Sequence, residues 1–118
     1  MKLQEYLSLK LSLLEYEVFY VIYLDNHLRL IEMTELFRGT LNQAAVYPRE
    51  VVKEALLRNA ASIVVVHNHP SGVSDPSNAD LHLTRELKKA LQLIDVRLLD
   101  HFIVAGTEVR SLAAEGLF

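Results

Sequence analysis

The stretch SIVVVHNHPSGVSDPSNAD, residues 62–80, joins a β-branched apolar run to a loop that is rich in polar side chains. The run ASIVVV is typical of a central strand that is buried on both faces. Pro70 and Gly72 predict a turn after this strand, and residues 78–93 have the pattern of a helix. The stretch therefore predicts a strand, a loop and a helix in succession, with His67 and His69 at the end of the strand.

Upstream of this stretch, the pattern predicts a helix, a hairpin and a second helix. Residues 3–14 place apolar side chains at spacings of three and four, which indicates an amphipathic helix. Two strand-like runs around the turn Asp25–His27 predict a β-hairpin, whose second strand could lie at a sheet edge. Residues 39–48 are expected to be extended, and Pro48 begins a helix that continues to Asn59.

Downstream, residues 96–105 predict another buried strand, Gly106 marks a turn, and residues 111–118 are expected to form a short helical tail. Helices and strands thus alternate along the whole chain. This alternation predicts an α/β fold with a mixed β-sheet flanked by helices. A length of 118 residues suits a single domain.

The composition predicts an ordinary soluble globular protein, with 51% apolar and 23% charged residues. The apolar run Val18–Leu24 is too short to cross a bilayer, and charged residues interrupt any signal-peptide core near the N-terminus. We therefore expect a cytoplasmic protein without a membrane segment. The 12 basic and 15 acidic residues give a net charge of −3, so the charge does not indicate nucleic-acid binding.

The two histidines and the following helix suggest a metal site. Side chains two residues apart in an extended chain point to the same side, so His67 and His69 can converge on one point. Asp80, in the first turn of the next helix, can point back towards them. Two imidazoles and a carboxylate leave one position open, which is the pattern of catalytic zinc sites. The chain has no cysteine, which excludes thiolate zinc sites and the PCxxC motif of nucleobase deaminases.

Each of these features also has a purely structural interpretation. One His-x-His pair is weak evidence in a chain with five histidines. Ser77-x-x-Asp80 has the pattern of a helix capping box, although a capping aspartate could also face a metal. His27 and His82 are expected at the surface. The pair Asp100–His101 fits either a hydrogen-bonded core or edge pair, or a carboxylate that orients a ligand histidine.

The segment HNHPSGVSDPSNAD matches the JAMM motif of JAB/MPN metallopeptidases, which is His-x-His, seven residues and Ser-x-x-Asp. The chain most closely resembles the RadC-like branch of that family, through YEVFYVIYLDN, FRGTLNQAAVYPREVVKEAL, HNHPSG and RLLDHFIVAG. The resemblance covers residues 3–118. It implies one JAB/MPN domain over residues 1–118, folded as a cytidine-deaminase-like three-layer sandwich. It also implies that one zinc ion is bound by His67, His69 and Asp80.

The resemblance implies roles for two further residues. Glu17 stands where the family places the glutamate that carries a proton from the zinc-bound water to the leaving amine, and Glu15 is the nearby alternative. Without the resemblance, Glu17 would be interpreted as a solvated carboxylate before a strand. Ser77 would donate a hydrogen bond to the oxyanion.

These residues predict a zinc-dependent hydrolase that cleaves a peptide or isopeptide bond in a peptide or protein substrate. The substrate could add to the edge strand near Leu28–Phe37. Two alternatives stay open: a non-catalytic zinc-containing binding module, and a DNA-repair-associated protein of the RadC type. RadC-like proteins carry a separate N-terminal helical region, so this chain is expected to be a fragment or a short form.

Overall fold

The computed structural model describes residues 3–39 and 46–118. The predicted extended segment, residues 39–48, falls mostly on residues 40–45, which lie outside the described ranges. In chain order, the elements of the described residues are α1 (Leu3–Leu11), β1 (Val18–Leu24), β2 (Leu30–Arg38), α2 (Pro48–Leu57), β3 (Ser62–Asn68), α3 (Asn78–Gln92), β4 (Arg97–Ala105) and β5 (Glu108–Ser111).

The strands form one mixed sheet, as the sequence predicted, and their order is β2-β1-β3-β4-β5. β3 and β4 are parallel, and the other neighbouring strands are antiparallel. β3 lies in the centre and every one of its residues is buried, which confirms the interpretation of its apolar run. The hairpin of β1 and β2 is also confirmed, with β2 at the edge.

The sheet lies between two helical layers. Successive side chains of a strand point to opposite faces, and the central strand β3 accordingly contributes Ile63 and Val65 to one core and Val64 and Val66 to the other. The first core contains residues of α2 and α3, and the second contains residues of α1. This arrangement confirms the three-layer sandwich. His67 follows Val65 by two residues and therefore lies on the α2–α3 face.

The C-terminal segment differs from the sequence prediction. The expected helical tail is wrong, because Glu108–Ser111 forms the edge strand β5 and residues 112–116 form turns. Gly106 adopts a φ of 59°, which allows the tight turn that returns the chain alongside β4. Leu112 is buried after β5. A helix over these residues would not allow Glu108–Ser111 to pair with β4.

The first helix is shorter than its sequence pattern predicted. It ends at Leu11 instead of residue 14, and its buried residues are Leu7 and Leu11. These two leucines anchor the helix in the core on one face of the sheet, and Leu14 packs against the same core beyond the end of the helix. Among the described residues, no helix is both long enough and apolar enough to span a membrane.

Candidate metal centre

The end of β3 brings the two predicted histidines together. His67 is the penultimate residue of β3 and is fully buried, and His69 follows the last residue of the strand. Their Nε2 atoms lie 2.9 Å apart. The alternation of an extended chain therefore places both imidazoles on one side, as predicted.

Asp80 reaches the histidines from the first turn of α3, where it also caps the helix. The Ser77 Oγ accepts the Asp80 backbone N–H at 3.0 Å, and the Asp80 Oδ2 accepts the Ser77 N–H at 2.8 Å. The same carboxylate lies 3.1 Å from His67 Nε2 through Oδ1 and 3.2 Å from His69 Nε2 through Oδ2. The capping box and the convergence on the histidines are thus compatible.

The donor set suits a tetrahedral cation such as zinc. Bonds of about 2.0–2.1 Å to a tetrahedral ion place neighbouring donors about 3.3 Å apart, and the three observed separations are 2.9, 3.1 and 3.2 Å. The His69 Nδ1–H donates to the Val73 carbonyl at 2.8 Å, which leaves the Nε2 lone pair facing the other donors. His67, His69 and Asp80 could therefore hold a metal ion.

The electrostatics of these residues favour a carboxylate beside a cation. Burial by itself would raise the pKa of Asp80, but the adjacent imidazoles of His67 and His69 outweigh burial and hold this pKa well below its usual range. The hydrogen bond to Asp80 raises the pKa of His69, against the opposing effect of burial. A positive charge between these groups is thus strongly stabilised, whether a proton or a metal ion carries it.

Glu17 directly precedes β1 and lies within electrostatic reach of His69. Its side chain is half-buried, and its negative charge contributes to the raised pKa of His69. The Asn68 side chain fixes this segment on both sides of Glu17: its Nδ2 donates to the Tyr16 carbonyl at 2.9 Å, and its Oδ1 accepts the Val18 N–H at 2.8 Å. Asn68 therefore holds the glutamate-bearing segment against the histidine-bearing strand.

The loop between His69 and α3 is attached to β5, the strand that the sequence did not predict. Arg110 Nη1 donates to Asp75 Oδ1 at 2.7 Å, and the Ser74 hydroxyl donates to Glu108. The loop supplies the carbonyl that accepts the His69 ring N–H. Ser77, at the end of this loop, is exposed. β5 thus contributes indirectly to the geometry of the site.

Two buried residues complete the surroundings of His67, and the sequence interpretation missed one of them. His101 contacts His67 directly, whereas the neighbouring Asp100 hydrogen-bonds Ser111 instead of a candidate ligand. Thr84 contacts His101 from α3 and was not identified from the sequence. The available signal was the spacing of four residues from Asp80, which places Thr84 one turn further along the same helix face. His27 and His82 are exposed, as predicted.

Comparisons with known proteins identify the same domain. A family model described as "RadC-like JAB domain" matches residues 1–117. A UPF0758 protein of Cupriavidus pinatubonensis is 60% identical over 113 residues, which cover 96% of this chain and 50% of the relative. A UPF0758 protein of Methylibium petroleiphilum is 59% identical over 114 residues, which cover 97% of this chain and 51% of the relative. A UPF0758 protein of Marinobacter nauticus is 54% identical over 114 residues, covering 97% of this chain and 51% of the relative. The chain thus spans about half the length of the curated relatives it matches.

Proposed function

The chain belongs to the RadC-like JAB-domain family, and from this membership we propose that it is a zinc-dependent hydrolase that cleaves a peptide or isopeptide bond. The observation that carries the proposal is the convergence of His67, His69 and Asp80, whose ligand atoms all lie within 4.8 Å of one another. When bound there, zinc would supply Lewis-acid polarisation of the scissile carbonyl and would lower the pKa of a bound water to about 7.

Glu17 and Ser77 have complementary roles in this proposal. Glu17 accepts a proton from the attacking water and delivers it to the leaving amine nitrogen as the carbon–nitrogen bond breaks. The Ser77 Oγ accepts the Asp80 N–H, and its own hydroxyl hydrogen is directed to the oxygen of the scissile carbonyl. The half-buried position of Glu17 and the exposure of Ser77 support these roles, since one must hold a proton and the other must reach substrate.

We propose that the substrate is a peptide or protein segment that adds to the free edge of β2. An added strand would lie about 4.7–4.9 Å beyond β2, and β1 separates β2 from β3. The substrate chain therefore has to continue past the end of β2 at Arg38 before its scissile bond reaches the candidate ligands. Arg38 pairs with Val18, the residue that follows Glu17. A peptide-bound structure in which the β2 edge stays free would contradict this route.

Metal content and peptide hydrolysis test the proposal together. We expect purified protein to bind close to one equivalent of zinc and to cleave members of a broad peptide library. His69→Ala should lose both zinc and cleavage, whereas Glu17→Gln should keep zinc and lose cleavage. The matched control is His82→Ala, since His82 is an exposed histidine on α3 and should have no effect on either measurement.

Two outcomes would favour other functions. Zinc binding without cleavage of any library member would support a non-catalytic zinc-containing binding module. A DNA-repair role through direct duplex binding would require an affinity that falls steeply with salt. We expect no such binding, because the chain has 12 basic against 15 acidic residues.

A further inference from the structure

Behind His67, two buried polar side chains form a hydrogen-bonded chain that the proposed hydrolysis does not use directly. His67 Nδ1 lies 2.8 Å from His101 Nε2, and His101 Nδ1 lies 2.7 Å from Thr84 Oγ1. Thr84 Oγ1 in turn lies 2.8 Å from the backbone carbonyl oxygen of Asp80. Thr84 is 1% exposed and His101 is 0% exposed, so these groups are shielded from bulk water.

The direction of each hydrogen bond follows from the last one in the chain. A backbone carbonyl only accepts, so the Thr84 hydroxyl donates to Asp80 and must accept the Nδ1–H of His101. His101 is fully buried and its Nδ1–H donates to Thr84, so in the neutral ring Nε2 carries a lone pair. That lone pair accepts the Nδ1–H of His67. The Nε2 lone pair of His67 is therefore left to face Asp80 and His69.

We propose that Thr84 and His101 are positioning residues that hold His67 in the Nδ1–H tautomer, with its Nε2 lone pair directed at the metal centre. This inference rests on the proposed metal-dependent function and adds the groups that orient one of the ligands. The opposite tautomer would place a hydrogen where a metal–nitrogen bond must form. This series of hydrogen bonds begins at the Asp80 carbonyl in α3 and ends at His67 in β3. It therefore also couples the two elements that supply ligands.

Substitutions of Thr84 separate the hydroxyl group from the volume of the side chain. Thr84→Val keeps the shape but removes the hydroxyl that accepts the His101 Nδ1–H, and we expect zinc affinity to fall roughly 10–100-fold, as for other groups that orient ligand histidines. Thr84→Ser keeps the hydroxyl and should restore affinity to within a few-fold of the wild type. The matched control is Thr34→Val, because Thr34 lies in the edge strand β2 and its hydroxyl bonds the Tyr23 hydroxyl on β1.

The ring-nitrogen signals of ¹⁵N-labelled, metal-free protein test the inference without any variant or activity. We expect both His67 and His101 of the wild type to carry their hydrogen on Nδ1. In Thr84→Val, the His101 ring-nitrogen signals should change towards those of a mixture of tautomers. The His67 signals should change in the same way, because His67 Nδ1 bonds His101 Nε2. A wild-type His101 with its hydrogen on Nε2 would overturn the inference, even if Thr84→Val proved too unstable to study.

Affinity outcomes can also overturn the inference. Equal losses of affinity in Thr84→Val and Thr84→Ser, or an unchanged affinity in Thr84→Val, would show that the hydroxyl does not act on His67. Wild-type protein that binds no zinc would instead contradict the proposed function. In that case the nitrogen signals would still decide whether Thr84 and His101 set the tautomer of His67.

Discussion

At the scale of single residues, Asp80 has two structural roles that depend on the same carboxylate. Its Oδ2 accepts the Ser77 N–H at the start of α3, and both oxygens lie within 3.2 Å of a histidine Nε2. An aspartate at this helix position is stabilised by the N-terminal end of the helix dipole. The helix therefore fixes the carboxylate before any cation binds, which reduces the reorganisation that metal binding requires.

The pH dependence of the metal-free protein follows from the opposite pKa shifts of Asp80 and His69. The pKa of His69 is raised, so its contribution to stability is present below its unfolded value near 6.5 and is lost as pH rises through the folded value. The pKa of Asp80 is lowered, so its contribution is present above its unfolded value near 3.8 and is lost as pH falls. We predict that the pair stabilises the metal-free protein most between these two values, as measured by urea unfolding.

The control for this prediction is Asp80→Asn, which removes the negative charge. Its stability profile should lack the maximum that the wild type shows, and parallel profiles for the two proteins would contradict the prediction. Zinc affinity should behave differently and rise with pH. Metal binding requires His69 to lose its proton, so calorimetry in buffers of different ionisation enthalpy should detect proton release.

At the scale of secondary-structure elements, Asn68 links β3 to the segment that precedes β1. It is 2% exposed, and its side-chain amide satisfies the Tyr16 carbonyl and the Val18 N–H. We predict that Asn68→Ala lowers the free energy of unfolding by about 1–3 kcal/mol, because two backbone groups lose their partner. Urea unfolding measures the change.

The exposed Asn78 at the start of α3 provides the comparison for Asn68. Asn78→Ala should change stability by less than about 0.5 kcal/mol, as is usual for surface substitutions. Amide hydrogen exchange adds a local measurement: Val18 should exchange faster in Asn68→Ala than in the wild type. An Asn68→Ala protein with wild-type stability and wild-type exchange at Val18 would show that the link contributes nothing.

The elements differ in how far the sequence could predict them. β3 and α3 were predictable, because an unbroken apolar run and a capping box are local signals that burial and hydrogen bonding then reinforce. β5 was not, since its four residues have no alternating apolar pattern and their pairing depends on the neighbouring β4. The contact between Thr84 and His101 spans 17 residues and two elements. The spacing of four residues places Thr84 on the same helix face as Asp80, but it does not predict which residue of β4 Thr84 contacts.

At the scale of the whole molecule, the sheet separates the candidate metal centre from one of the two helical layers. His67 lies on the face that packs against α2 and α3, and Asp80 and Thr84 belong to α3 itself. The opposite face is covered by α1, through Leu7 and Leu11. The α1 layer therefore contributes to global stability without direct contact with the candidate ligands.

Two leucine-to-alanine substitutions test this separation. Leu7 in α1 and Leu87 in α3 are both fully buried, and each change should lower the free energy of unfolding by about 2–5 kcal/mol, the usual cost of a buried cavity. We predict that Leu87→Ala also weakens zinc binding, because a shift of α3 moves Asp80 and Thr84. Leu7→Ala should leave zinc affinity within a few-fold of the wild type, measured by competition with a chelator under conditions where both variants are folded. Equal losses of affinity in the two variants would mean that the sheet transmits distortions from α1 to the metal centre.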